Sequence, residues 1–115
     1  MKKLSTVIID LINRILPTPR IDFDDGSYIE YLDREAILYA EKDGHRMEVE
    51  WYFNSRFGSG RLLYADDIGY WNSPHELEVL SEQKKKEIQQ KIISYCQKRN
   101  ISIEIIPVGL KPPSS

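Results

Sequence analysis

A single cysteine, Cys96, stands among the 115 residues, so neither an internal disulfide nor a cysteine-rich metal site is open to this chain. Only two histidines occur, His45 and His75, and neither has a third ligand at close spacing, so no zinc motif is present. No apolar run approaches the roughly 20 residues that cross a bilayer, which excludes a membrane-spanning helix. Neither charge sign dominates: 16 Lys+Arg against 18 Asp+Glu leave −2, unlike the strongly basic balance of a general nucleic-acid binder. With six glycines and six prolines, and no repeat or linker, collagen-like, mucin-like and coiled-coil classes are excluded too. Gly58-Ser59-Gly60 lacks the following Gly-Lys-Ser of a phosphate loop and reads as a hairpin loop.

What is present is a globular mixture, 41% hydrophobic, 30% charged and 10% aromatic, in a length that suits one domain spanning residues 1–115. Met1-Lys2-Lys3-Leu4 imitates the start of a signal peptide. Asp10, Asn13 and Arg14 interrupt the apolar stretch, and no small-residue cleavage site follows. The expected location is therefore the cytoplasm, in keeping with the lone thiol.

Hydrophobic periodicity divides the chain into three. Val7, Ile8, Leu11, Ile12, Ile15 and Leu16 fall at helical spacing, which predicts a short N-terminal helix within residues 1–16, stopped by Pro17 and Pro19. From residue 20 the period is two. Asp24-Asp25-Gly26-Ser27 and Lys42-Asp43-Gly44 are turn signals between short strands. Met47, Val49, Trp51 and Phe53 alternate with polar neighbours, predicting one continuous strand with a buried face, and a further strand is expected over residues 61–65. After Trp71-Asn72-Ser73-Pro74 the period returns to helical. Ser81 is the expected N-cap, Ile88, Ile92, Ile93, Tyr95 and Cys96 form the apolar stripe, and Asn100 is the expected stop. Ile101, Ile103 and Ile105 alternate as a last strand. The expected fold is α+β: an antiparallel meander of about five strands packed by one long C-terminal helix, with the core in residues 20–106 and a flexible tail over residues 107–115.

No nucleophile–base arrangement emerges. Cys96, on the apolar stripe, reads as a structural thiol, Trp51 and Trp71 as core, and the two histidines as solvated loop residues. Asp66-Asp67 is a carboxylate pair, but neighbouring strand residues point to opposite faces, and in a turn both face solvent. Charge distribution carries more. Residues 22–78 hold fourteen acids and five bases, −9, whereas the remainder is +7. An acidic strand face and a basic helix face follow, the lysines Lys84-Lys85-Lys86 and Lys91 serving solubility. Tyr28, Tyr31, Tyr39, Tyr52 and Tyr64 are interleaved with the acids, and tyrosines beside carboxylates make good interface anchors. Alternation places Tyr52 on the polar face with Glu48 and Glu50.

Tyr-Ala-Asp-Asp-Ile-Gly-Tyr-Trp (residues 64–71), Asn72-Ser73-Pro74, the Leu-Ser-Glu-Gln-Lys-Lys-Lys-Glu-Ile helix start (residues 80–88) and the closing residues 101–105 follow one another in an order that resembles small immunity proteins of bacterial polymorphic-toxin and contact-dependent growth inhibition systems. The similarity spans roughly residues 20–106 and leaves residues 1–16 uncovered. It implies a cytoplasmic α+β protein that binds and blocks one cognate toxin domain, without catalysis, cofactor, metal, nucleic acid or membrane. The family carries no shared inhibitory motif, so the candidate partner-binding residues, Glu48, Glu50, Tyr52, Asp66 and Asp67, come from alternation and charge alone. They suit an acidic face that occupies the basic cleft of a nuclease-like toxin. The alternative is a small-ligand-binding or regulatory domain, with a pocket between sheet and helix.

Overall fold

In the computed structural model, which describes residues 20–54 and 60–112, three aspartates build the turns of the first sheet. Asp25, Asp33 and Asp43 each accept the backbone N–H of the residue two positions on (Ser27 at 2.9 Å, Glu35 at 2.8 Å, His45 at 3.0 Å), the hydrogen bond by which Asp imitates a backbone turn. Gly26 and Gly44 follow two of them with φ of 87° and 101°, a region that glycine enters without steric cost. These turns join β1 (Arg20–Asp22), β2 (Tyr28–Asp33), β3 (Ala36–Ala40) and β4 (Arg46–Glu50) into an antiparallel sheet in chain order. Register puts Ile29, Tyr39 and Met47 in one row and Ile37 beside Val49 in the next, all on the inner face.

The continuous strand expected from Met47 to Phe53 is two strands. The β3–β4 ladder stops where Ala36, the first residue of β3, meets Glu50. Trp51 donates its N–H to the Glu35 carbonyl (2.9 Å) and buries its ring edge-on to Tyr31. β5 (Tyr52–Asn54) then pairs with β6 (Gly60–Tyr64) in a second sheet. The break reverses the inside–outside alternation: Phe53, expected in the core, is 68% exposed, and Asn54 is buried.

A 3₁₀ turn, Ala65–Asp67, ends β6, and a connection through residues 68–81 leads to helix α1 (Glu82–Lys98). Ser81 caps the helix as expected, its Oγ accepting the Lys84 N–H at 3.0 Å. At the other end Asn100 takes φ 57° and lets Ile101 N–H reach the Cys96 carbonyl (2.8 Å), a Schellman closure. The chain then enters β7 (Ile103–Ile106), which lies parallel to β6. The expected single antiparallel meander is therefore corrected to a four-stranded antiparallel sheet and a three-stranded sheet with one parallel pair. The helix supplies the long crossover that parallel pairing requires.

Ile88, Ile92, Tyr95 and Cys96 of α1 pack with Ile29, Ile37, Tyr39, Met47, Val49, Trp51, Leu63 and Trp71 in one buried cluster. Each such aliphatic side chain contributes roughly 1.5–3 kcal/mol by leaving water. Tyr39, one of the interface tyrosines expected from sequence, belongs to this core. No helix among the described residues is long and apolar enough to cross a membrane. The helix expected within residues 1–16, the Gly58-Ser59 loop and the last three residues lie outside the described residues.

Candidate functional site

Where the two sheets part at Trp51, an open groove of about 660 Å³ is left between the β2–β3 turn and β5. Glu48 and Glu50 come to it from the outer face of β4, Asp33 and Glu35 from the turn, and Tyr52 and Phe53 from β5. The pleat explains the grouping: Glu48 and Glu50 alternate with buried Met47 and Val49, so both point away from the core. Tyr52 OH donates to Glu50 Oε2 (3.1 Å), and its ring meets Tyr64 edge-on at 5.4 Å. Burial, then the Glu50 carboxylate, holds the Tyr52 hydroxyl above its ordinary pKa, so it stays a neutral donor. Arg61 lies over both the Trp51 and Phe53 rings, at 5.4 and 5.5 Å, and offsets part of the negative field.

Of the five partner-binding residues expected from sequence, Glu48, Glu50 and Tyr52 share this groove; Asp66 and Asp67 do not line it. Both lie on the 3₁₀ turn, engaged with the C-terminal segment. Asp66 accepts the Gly109 N–H at 3.1 Å, and Asp67 pairs with Lys111 Nζ at 2.6 Å. Residues 107–112, which lack apolar density, are thus held by two polar tethers. Lys111 also lies 5.7 Å from the Tyr64 ring, next to Tyr52. Asp67 and Lys111 act on Tyr52 through space in opposite senses, so Asp67 borders the groove's field without forming its wall.

Sequence spacing missed two features. Across Trp71, the expected isolated histidines come together: the His45 and His75 rings stack at 3.7 Å with Glu78 against both. Tyr70 and, on the 72–80 connection, Leu77 and Val79 are 78%, 92% and 94% exposed around a second depression of about 470 Å³ that Val108 borders. Isolated apolar residues in a segment with neither helical nor strand period give no pattern to read; Leu77 and Val79 flanking Glu78 were the sole trace. Cys96 is as expected: buried, its thiol pushed up to about 12 by desolvation, and inert. The sheet–helix interface, where a small-ligand pocket was the alternative, is filled by the buried cluster.

A family model described as Immunity protein 74 matches residues 29–106, from the first residues of β2 to the end of β7. The chain belongs to the Immunity protein 74 family. The matched span takes in the strands from β2 to β7, α1, the groove and the His45–His75 contact, leaving out β1, and it bears out the resemblance to immunity proteins of toxin systems. No curated protein and no solved structure matches the chain significantly.

Proposed function

We propose that this Immunity protein 74 chain neutralises a cognate toxin domain in the cytoplasm by binding over its active site, with no catalysis of its own. The groove at the sheet junction is the contact surface. The observation that carries this reading is the convergence of Asp33, Glu35, Glu48 and Glu50 on one open groove beside exposed Tyr52 and Phe53, in a chain of an immunity family. Clustered carboxylates steer a basic partner and select against acidic ones, while aromatic side chains at the centre supply the area that holds it. A nuclease-type toxin, whose cleft is basic to hold phosphate, has the complementary field. Asp67, paired with Lys111, reaches Tyr52 from the tail side of the groove.

Association kinetics with the purified toxin domain test the surface. Glu48→Lys and Glu50→Lys together are expected to slow association roughly tenfold or more at low salt, with an unchanged circular dichroism spectrum, because rim charges act mainly on the on-rate. Unchanged association by the double variant would remove the acidic groove from the interface while leaving family membership intact.

A further inference from the structure

We propose that His45, His75 and Glu78 form a binding site for a divalent transition-metal ion of the zinc class, with Asp43 holding the His45 ring from behind. The inference is independent of the toxin-binding surface.

One ligand atom from each of the three residues lies within 4.8 Å of the other two. They come from two segments far apart in sequence. His45 leaves the β3–β4 turn, and His75 and Glu78 sit on the connection that follows Trp71. That connection is anchored before it reaches them: Asn72 donates its N–H to the Arg46 carbonyl (2.7 Å) and accepts the Glu48 N–H on Oδ1 (3.3 Å). His75 N–H then bonds the Asn72 carbonyl (2.9 Å), and Glu78 N–H the His75 carbonyl (3.0 Å), which folds Glu78 back toward both rings. The imidazoles are half-buried, with side chains 18% and 31% exposed, and the Trp71 ring meets His45 edge-on at 5.0 Å.

The hydrogen bonds also select a donor set. His45 Nδ1–H donates to Asp43 Oδ1 at 2.8 Å, and in the neutral imidazole this tautomer leaves the Nε2 lone pair free. Nε2 faces Glu78 Oε1 and Oε2 at 2.9 and 3.1 Å, a gap that a proton on His45 fills in the free protein and that a metal ion fills in exchange for that proton. Glu78 Oε2 contacts His75 Nδ1 as well. Ligands about 2.0–2.1 Å from a tetrahedral zinc ion stand roughly 3.3 Å apart, so the His45–Glu78 separations are already close to those of a filled site. Two imidazoles and a carboxylate suit zinc rather than magnesium or calcium, and a carboxylate behind a ligating histidine is the usual orienting partner. Three protein ligands leave one tetrahedral position for water. The ion would clamp the 72–80 connection, and with it Leu77 and Val79, onto the β3–β4 turn.

The test is calorimetric titration of Zn²⁺ into tag-free, chelator-treated full-length protein, paired with long-range ¹⁵N NMR. The two histidines are the only ones in the chain, so their ring signals need no assignment beyond each other. One equivalent of zinc is expected to bind and shift both rings, with His45 keeping its Nδ1 proton; Mg²⁺ at the same concentration does neither. Asp43→Asn is expected to weaken zinc by roughly 10- to 100-fold. His75→Ala and Glu78→Gln, both on the exposed connection, abolish the one-equivalent event with the fold intact by circular dichroism, whether or not His45→Ala folds. Absence of a one-equivalent event, equal binding of Mg²⁺, or unchanged zinc affinity in His75→Ala overturns the proposal, leaving a cluster that shares protons alone.

Discussion

At the scale of single residues, Trp51 decides more than its neighbours. It is the only residue between β4 and β5, and its buried ring marks where one sheet stops and the other begins. Trp51→Ala is expected to cost about 3–5 kcal/mol in urea unfolding, the range for deleting a large buried aromatic. Phe53→Ala, two positions on, is expected to stay within about 0.5 kcal/mol. Equal costs would restore the continuous strand that alternation alone predicts. That expectation failed because period-two patterning reports which residues are apolar, not whether a partner strand is long enough to keep them inside. Three of the acids that colour the sheet region, Asp25, Asp33 and Asp43, are likewise turn-builders first, a role visible in the sequence for two of them as Asp25-Gly26-Ser27 and Asp43-Gly44-His45 but not for Asp33, which precedes Arg34-Glu35.

At the scale of elements, helix α1 was legible from end to end because its signals are local: a serine cap, an apolar stripe and an Asn stop. Ser81→Ala is expected to lower stability by about 1 kcal/mol. At Asn100, whose φ of 57° suits few side chains, Gly is expected to be tolerated and Val to cost about 1–2 kcal/mol in the same unfolding assay. A neutral Asn100→Val would contradict the closure described at this end. The strand that follows was legible as a strand but not as a parallel one. Direction depends on where the helix returns the chain, and β7 returns beside β6 rather than to the edge of the first sheet. The histidine cluster was hidden for the same reason, since only the anchoring of the 72–80 connection on β4 brings His75 to His45.

At the scale of the molecule, the division into an acidic sheet and a basic helix is real in sequence but partly cancelled in space. Lys91 of α1 meets Asp25 at 2.5 Å, and Lys84 meets Glu41 at 2.8 Å, so the helix neutralises acids at the turn end of the sheet. The groove carboxylates at the opposite end of β4 have no helical lysine among the groove's lining residues. The Lys91 ammonium, and then Ser27, hold the Asp25 carboxyl well below its ordinary pKa of 3.8. A depressed carboxylate contributes stability that is full above the ordinary value and lost as pH falls through the folded one. Melting temperature is thus expected to drop on acidification below about pH 4 less steeply in Asp25→Asn than in the parent chain. An identical acid limb in the two proteins would show that the Lys91 contact adds nothing to the fold.

The groove and the family membership meet in one experiment. The toxin domain that this chain is proposed to neutralise is expressed in cells alone, with the parent chain, and with the Glu48→Lys/Glu50→Lys variant, and growth is recorded beside the soluble level of each protein. Growth is expected to be restored by the parent chain and lost again with the soluble, folded double variant. Full protection by the double variant, or none by the parent chain, would contradict neutralisation through this acidic surface.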